Sequence, residues 1–300
     1  MTHDYVSQLS ESIRKKRSPL VLGIDPRPEN MPRAFQQGDE IDGIQSFYER
    51  LMDVLGDYIV GVKPQIAFFE IFGAEGFGLY SKLCEQARER GLSVIGDVKR
   101  GDIGSTAQAY AQAHFQWADC LTVNPYLGAD SILPFLEYCR SERIDKATRY
   151  GIFVLCVTSN PSWAQFQGFT DAHGQALYLE VASAIRQWNA DCLGSGEAYG
   201  PVGAVVGATR PQLLAEMRAA LPSSFLLCPG IGAQGGDIDA VAQACDKDGL
   251  GVIVPMSRGL AQCFEVDDLG WEAKVREKAE ATLAAFRRGI PGFQRSAGGH

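Results

Sequence analysis

Short runs of consecutive apolar residues recur along most of the chain. Eight of these runs are rich in β-branched residues, and most do not alternate with polar positions, which is typical of strands covered on both faces. The runs are residues 20–24, 58–62, 93–98, 120–123, 152–157, 202–206, 225–227 and 252–254. The pattern therefore predicts eight buried strands of a parallel sheet.

Apolar residues between the strands recur at steps of three and four positions, as they do on one face of an amphipathic helix. The clearest faces are Ile44, Phe47, Leu51 and Val54, then Leu79 and Leu83, and finally Trp271, Val275, Leu283 and Phe286. Gly91 ends the second of these helices, and Gly289 with Pro291 ends the third, since glycine and proline stop helices. Residues 209–212 (Thr-Arg-Pro-Gln) predict a capping box with proline in the first helical turn.

Strands and helices that alternate over about 270 residues are typical of an α/β fold of the (β/α)₈ TIM barrel type. We expect a single TIM-barrel domain over residues 1–300, with its core at about residues 19–288. A doubly wound sheet is the structural alternative. Residues 26–40 and 141–150 are interpreted as surface insertions, and residues 295–300 as a frayed tail.

Composition narrows the range of partners. Asp and Glu outnumber Lys and Arg by 36 to 28, which gives a formal net charge of −8. This balance disfavours binding to nucleic acid or to an anionic membrane, although a pocket can still bind a small anion. The apolar runs are shorter than the ~18 residues that a membrane-spanning helix needs.

Cysteine and histidine give no sign of a disulfide framework or a metal centre. The eight cysteines contain no Cys-x-x-Cys pair, and several stand inside apolar runs, as buried free thiols do. The four histidines have no metal-binding spacing. We therefore expect a reducing, cytoplasmic location and no metal.

Charged residues stand where the first three predicted strands end, and such ends form the active face of a barrel. Asp25 follows the first run, Lys63 the second, and Asp97 and Lys99 the third. Asp97 and Lys99 are two positions apart, so both side chains point to one side of the strand. Neighbouring strands lie about 4.8 Å apart, which brings Lys63 alongside. The spacing predicts a Lys–Asp–Lys row suited to protonating a carbanion, and a purely structural ion-pair cluster is the alternative.

A glycine-rich segment follows the seventh run, at residues 230–235. Its G-x-G-x-x-G pattern does not indicate a dinucleotide fold, because that motif follows the first strand and has an acidic residue about 20 positions later, where Pro255 stands. Loops seven and eight of a barrel commonly bind phosphate. We expect glycine N–H groups, Gln234 and Arg258 to bind such a dianion. A glycine turn without a ligand and a surface arginine are the alternatives.

Two further features have competing interpretations. Asp102 precedes a predicted helix, so it is either a functional residue or an ordinary N-cap. Residues 162–168, which come shortly after Ser159, form either a mobile lid over a substrate or an ordinary turn.

Residues 97–106, Asp-Val-Lys-Arg-Gly-Asp-Ile-Gly-Ser-Thr, resemble the D-x-K-x-x-D-I-x-x-T signature of the orotidine 5′-phosphate decarboxylases. Further matches occur in the family's order over residues 20–262: Leu-Gly-Ile-Asp at 22–25, Val-Lys at 62–63, Pro-Gly-Ile-Gly-Ala-Gln-Gly at 229–235 and Ser-Arg-Gly-Leu at 257–260. The segments at 122–128 and 158–161 resemble the longer bacterial subfamily, type 2. One departure is Ser257, which stands where the family often has glycine.

The resemblance implies a decarboxylation of orotidine 5′-phosphate to uridine 5′-phosphate without metal or cofactor, the last step of de novo pyrimidine synthesis. It implies that Lys99 protonates C6 of the substrate and that Asp97 lies against the substrate carboxylate. Lys63 and Asp25 would bind the ribose hydroxyls, and Lys63 would also align Asp97.

The resemblance also implies a homodimer with two shared active sites, because Asp102 and Thr106 of such enzymes reach into the neighbouring subunit's site. Ser159 would recognise the pyrimidine edge, and Gln234 and Arg258 would bind the phosphate. Because alternating charges are costly to assemble without substrate, we expect the row to destabilise the free protein.

Two other functions compete with this one. A sister barrel enzyme that acts on sugar phosphates with Mg²⁺ has a glutamate at the end of strand two, where this chain has Lys63. A non-catalytic nucleotide-binding protein on a decayed enzyme scaffold is the second alternative, although every catalytic position is intact here.

Overall fold

Eight parallel strands form a closed barrel in the computed structural model, which describes residues 3–140, 148–232 and 235–294. The strands are β1 (Leu20–Ile24), β2 (Gly61–Pro64), β3 (Ser93–Arg100), β4 (Cys120–Val123), β5 (Gly151–Val157), β6 (Gly200–Val206), β7 (Ser224–Leu227) and β8 (Val252–Met256). Each strand pairs with the next one along the chain, and β8 pairs with β1 to close the barrel. The predicted (β/α)₈ barrel is confirmed, and the doubly wound alternative is wrong.

Helices surround the barrel. The α-helices are α1 (Tyr5–Lys16), α2 (Glu40–Leu55), α3 (Ala67–Glu70), α4 (Gly73–Glu89), α5 (Gly104–His114), α6 (Leu133–Cys139), α7 (Leu177–Cys192), α8 (Pro211–Ala220), α9 (Ile238–Gln243), α10 (Arg258–Ala261), α11 (Trp271–Gly289) and α12 (Pro291–Gln294). Short 3₁₀ helices lie at Pro28–Asn30, Arg33–Phe35, Ala129–Ser131 and Pro161–Gln165. Among the described residues, none of these helices is long and apolar enough to cross a membrane.

The predicted apolar helix faces are buried against the barrel. Phe47 of α2 packs edge-on against Phe35, with ring centroids 5.5 Å apart, and Phe35 also contacts Trp271 of α11. Phe35 belongs to the predicted surface insertion at 26–40, so that segment is anchored to the core by this side chain and by the buried Met31. Gly91, with φ of +69°, lies just past the end of α4, as predicted.

The boundaries of two elements differ from the prediction. Strand β2 begins three residues later than expected, because the N–H groups of Tyr58 and Ile59 still bond to Leu55 at the end of α2. Helix α8 has Pro211 in its first turn, but its N-cap residue is Arg210, which makes no side-chain capping bond. The capping box predicted for residues 209–212 is therefore wrong, because the helix begins one position later than that box requires.

The chain also forms a two-stranded sheet that the sequence pattern did not predict. It pairs His3–Asp4 with Thr148–Arg149 in parallel. Thr148–Arg149 belongs to the end of the predicted insertion at 141–150, whose residues 141–147 lie outside the described residues. The predicted tail at 295–300 lies outside them as well.

Candidate active site

The carboxyl ends of β2 and β3 bring together the predicted row of charges. The Lys99 ammonium lies 2.5 Å from Oδ1 of Asp97, and the Lys63 ammonium bonds to Oδ2 of the same carboxylate. Asp97 is 6% exposed and Lys63 is 8% exposed, whereas the Lys99 side chain is 45% exposed. Both carboxylate oxygens are therefore occupied by cations, and one of those cations still faces solvent.

The ionisation of the row is set by a competition between burial and charge. Burial opposes a charged Asp97, but the ammonium groups of Lys63 and Lys99 outweigh burial and hold the pKa of Asp97 below its usual value. Burial would also lower the pKa of Lys63, yet the nearby carboxylates of Asp97 and Asp25 raise it. At neutral pH, Asp97 is thus an anion and Lys63 a cation.

Thr122 of β4 also bonds to this group, although sequence analysis did not select it as a site residue. Its hydroxyl accepts a hydrogen bond from the Lys99 backbone N–H and donates one to Oδ1 of Asp97, both at 3.0 Å. Two signals in the sequence point to it: Thr122 is a polar residue inside an otherwise apolar run, which is common in strands for structural reasons, and it begins the segment 122–128 that resembles the longer subfamily.

A cavity of about 240 Å³ lies over this end of the barrel. One side is formed by Asp25, Lys63, Gln65, Phe68 and Asp97, and the other by Pro229, Gly230, Ile231, Pro255, Ser257, Arg258 and Gly259. Asp25 lines this cavity, and its buried Oδ1 has no hydrogen-bond partner within the described residues, so this acceptor is left unsatisfied by the chain itself. The cavity thus joins Lys63 and Asp97 of the charged row to the loops after β7 and β8, while Lys99 is not part of its lining.

A larger cavity, of about 730 Å³, lies near the amino ends of β3 and β4 and is lined in part by Lys15, Arg88 and Asp119. Size alone does not identify the active site, because barrel enzymes carry their chemistry at the carboxyl ends of the strands. The smaller cavity is lined by Lys63 and Asp97, whose pKa values are shifted from their ordinary values, and it is therefore the candidate site.

The loop after β7 supplies backbone suited to an anion. Gly230 and Gly232 have φ of +114° and +89°, a region that favours glycine, and Gly230 lines the cavity opposite Asp97. Arg258, the predicted phosphate ligand after β8, also lines this side. Gln234, the other predicted phosphate ligand, lies outside the described residues.

Ser257, which departs from the family pattern, lies directly against Gly23 of the neighbouring strand β1. A Cβ at Gly23 of β1 would lie 2.0 Å from the Ser257 hydroxyl oxygen. The serine therefore fits because residue 23 is glycine, and the next residue, Arg258, still reaches the cavity.

The remaining predicted residues do not line this cavity. Asp102 is half-buried, and its carboxylate accepts a bond from the N–H of Ile103, which is itself the N-cap residue of α5. The N-cap alternative for Asp102 is therefore wrong. Thr106 is exposed in the first turn of α5. Both side chains are accessible from outside the barrel.

Ser159 follows β5 in a loop that is held in place from two sides. The Gln167 side chain bonds to the backbone N–H and to the hydroxyl of Thr158, at 2.9 and 2.8 Å. The Arg210 guanidinium donates to the Thr158 carbonyl and lies 4.7 Å from the centre of the Trp163 ring. A 3₁₀ helix over Pro161–Gln165 overlaps the segment 162–168 interpreted as a lid or a turn.

Comparisons with known proteins show which family the chain resembles. The model of the orotidine 5′-phosphate decarboxylase / HUMPS family matches residues 18–262. The chain is 40% identical over 284 residues to the orotidine 5′-phosphate decarboxylase of Caldicellulosiruptor saccharolyticus, an alignment that covers 87% of this chain and 90% of the relative.

Solved structures give the same result. The structure of Leishmania donovani OMP decarboxylase is 34% identical, with a TM-score of 0.74, over 94% of this chain and 98% of that one. The structure of Leishmania donovani UMP synthase is 36% identical with a TM-score of 0.76, and the match covers 95% of this chain but 57% of that longer protein.

Proposed function

Because the chain belongs to the orotidine 5′-phosphate decarboxylase family, we propose that its Lys63–Asp97–Lys99 row carries out the decarboxylation step. The enzyme converts orotidine 5′-phosphate to uridine 5′-phosphate and carbon dioxide in pyrimidine biosynthesis. The observation that carries the proposal is an ionised, nearly buried Asp97 with one ammonium group on each oxygen.

In the proposed reaction, the substrate carboxylate lies against Asp97 and the C6 carbon lies near the Lys99 ammonium. The bond between C6 and the carboxyl carbon breaks, carbon dioxide leaves, and the electron pair stays on C6. Lys99 transfers a proton from Nζ to C6 and is left as a neutral amine, which solvent then reprotonates. A fixed ammonium stabilises the developing carbanion better than water does, because it needs no reorganisation during the step.

The rest of the cavity suits the ribose and the phosphate of the substrate, whereas Ser159 lies outside its lining. We assign the ribose hydroxyls to Asp25, whose Oδ1 has no partner in the described part of the chain, and to Lys63. We assign the phosphate to Arg258, Gln234 and the glycine N–H groups after β7, and the pyrimidine edge to Ser159. Phosphate binding far from C6 supplies energy that positions the reacting carbon.

The proposal includes a homodimer in which Asp102 and Thr106 complete the partner's site. Both residues are accessible outside the cavity of their own chain. Exposed apolar side chains also follow three neighbouring strands, namely Ile71 after β2, Ile103 after β3, and Tyr126 and Leu127 after β4. Exposed apolar groups around functional polar residues are typical of an interface.

We further propose a single domain, a cytoplasmic location, and a reaction without metal or cofactor. One cluster of buried side chains includes residues from α1 through α12, which supports the single domain. All eight cysteines are free thiols, as in reducing compartments. The Lys63 ammonium lines the cavity at the end of β2 and would repel Mg²⁺, which disfavours the magnesium-dependent sugar-phosphate alternative.

The test is the ultraviolet absorbance of orotidine 5′-phosphate after the purified protein is added in the presence of EDTA. We expect the substrate absorbance to fall with the wild type and not with Lys99→Ala. Loss of activity on adding EDTA would contradict metal independence, and an active Lys99→Ala protein would contradict the role of Lys99. A wild type that binds uridine 5′-phosphate without releasing carbon dioxide would indicate the non-catalytic alternative.

A further inference from the structure

Strand β3 has a bulge at the residues that carry the charges. Gly96 lies opposite Leu121 of β4, and Arg100 lies opposite Val123. The three residues 97–99 therefore face the single residue Thr122, and the regular backbone ladder is interrupted there. The polar backbone groups of this segment need partners other than the usual ladder carbonyls.

The Thr122 side chain supplies one such partner and also contacts the catalytic carboxylate. Its oxygen accepts a hydrogen bond from the Lys99 N–H, and its O–H group donates a hydrogen bond to Oδ1 of Asp97. A hydroxyl has one donor and two acceptor sites, so both bonds form at the same time. Thr122 is 1% exposed, so loss of its hydroxyl would leave both partners without an easy replacement from water.

Lys99 has a backbone conformation that residues with side chains rarely adopt. Its φ is +45°, and among the described residues other than glycine it shares a positive φ with Arg17 alone. Such a conformation costs about 1 kcal/mol and persists where surrounding bonds enforce it. The bond from Thr122 is made to the amide of Lys99 itself. The same hydroxyl bonds to the carboxylate oxygen that the Lys99 ammonium contacts.

We propose that Thr122 is a positioning residue that directs the Lys99 ammonium and the Asp97 carboxylate through its hydroxyl. This inference rests on the roles proposed above for Lys99 and Asp97. Thr122 acts on the reaction through these two groups, so its loss lowers kcat far more than it raises KM. Misplacement of a reacting group by about 1 Å costs about 10²-fold in rate, which sets the expected effect.

The test compares Thr122→Val, which keeps the branched shape but removes the hydroxyl, with Thr122→Ser, which keeps the hydroxyl. Thr282→Val is the matched control, because Thr282 is a buried threonine of α11 whose hydroxyl bonds to the Lys278 carbonyl. We expect about 10²-fold lower kcat for Thr122→Val with KM changed less than about threefold. We expect nearly normal kcat for Thr122→Ser and for Thr282→Val.

Hydrogen exchange at the Lys99 amide gives a second readout that does not depend on catalysis. We expect faster exchange in Thr122→Val and unchanged exchange in Thr122→Ser, because the valine variant removes the acceptor of that N–H. If Lys99→Ala keeps its activity, the proposed mechanism fails, while the exchange result still decides whether Thr122 holds the Lys99 backbone.

Three outcomes would overturn the inference. The first is wild-type kcat in Thr122→Val. The second is an equal loss in Thr122→Val and Thr122→Ser, which would show that keeping the hydroxyl does not preserve kcat. If Thr122→Val does not fold, Thr122→Cys takes its place, since a thiol is a weak hydrogen-bonding group of similar size. Equal kcat for the cysteine and serine variants is then the third contradicting outcome.

Discussion

The ionised form of Asp97 is stabilised by its neighbours in the free protein. Burial would favour its neutral form, but two ammonium groups outweigh burial and keep its pKa below the ordinary value. A carboxyl group with a lowered pKa in the folded state stabilises the fold at neutral pH and loses that contribution as pH falls through its folded pKa. The structure therefore predicts that the ionised Asp97 stabilises the free protein, whereas the sequence predicts that the charged row destabilises it.

Asp97→Asn is therefore predicted to lower the free energy of unfolding at pH 7 by about 3 kcal/mol, because Lys63 becomes a buried cation without its nearest anion. Urea unfolding of the two proteins measures the difference. Asp267→Asn is the control, since Asp267 pairs with Arg33 at the surface and such pairs contribute little. Equal stability of the two proteins would contradict this prediction, and higher stability of Asp97→Asn would indicate strain in the free site.

Periodicity was sufficient to predict the charged row but not the way its backbone is held. The ends of adjacent parallel strands meet at one face, so Lys63 and Asp97 were expected to be neighbours, and they are. The contact between Asp97 and Lys99 forms as well, but through a bulge with a positive φ rather than through regular strand alternation. That bulge depends on the pairing of β3 with β4, which no local pattern in the sequence encodes.

At the scale of secondary-structure elements, Arg100 connects β3 to the helices that follow β2 and β3. Its guanidinium donates to Oε1 of Glu70 at the end of α3 (3.0 Å) and to Nε2 of His114 at the end of α5 (3.3 Å). Accepting this bond requires a neutral imidazole. Burial and the Arg100 charge lower the pKa of His114 from 6.5 to about 4, which keeps the ring neutral near physiological pH.

This connection predicts a pH dependence of stability. Because the pKa of His114 is lower in the folded state, the free energy of unfolding decreases as pH falls from 6.5 towards 4. Over this range the unfolded chain binds a proton at His114 that the folded protein does not. Between pH 7.5 and 5.5 the loss from His114 is about 1 kcal/mol. His114→Gln keeps an acceptor for Arg100 but does not titrate, so its urea-unfolding free energy is expected to fall less over this interval. Parallel losses in the two proteins would contradict the titration of His114.

Elements with a long apolar repeat were predictable, whereas short or tertiary-dependent features were not. All eight barrel strands form where apolar runs occur, since burial on both faces requires such runs. The two-residue strands His3–Asp4 and Thr148–Arg149 are too short to have a period. The N-cap residue of α8 is Arg210, and its guanidinium bonds to the carbonyl groups of Thr158 and Asn160 in the loop after β5, a tertiary contact that the local sequence does not reveal.

At the scale of the whole molecule, the barrel assembles a cavity that leaves Asp102 and Thr106 on its outside. Both residues belong to the family signature: Asp102 lies on the same βα connection as the exposed Ile103, and Thr106 lies in the first turn of the helix α5 that follows. An isologous interface would carry each pair into the site of the other subunit, because a two-fold axis makes the exchange reciprocal. Two subunits would then contribute to each active site.

A mixture of two inactive variants tests this arrangement directly. In a hybrid of Lys99→Ala and Asp102→Ala, one site would contain the intact Lys99 of one chain and the intact Asp102 of the other. With random pairing after equal co-expression, about half of the dimers are hybrids with one intact site of two, so about a quarter of wild-type activity is expected. The mixture of Lys99→Ala with Asp97→Ala is the control, because these residues serve the same chain's site and no hybrid restores both. If Asp102 acts within its own chain, the first mixture stays as inactive as the control.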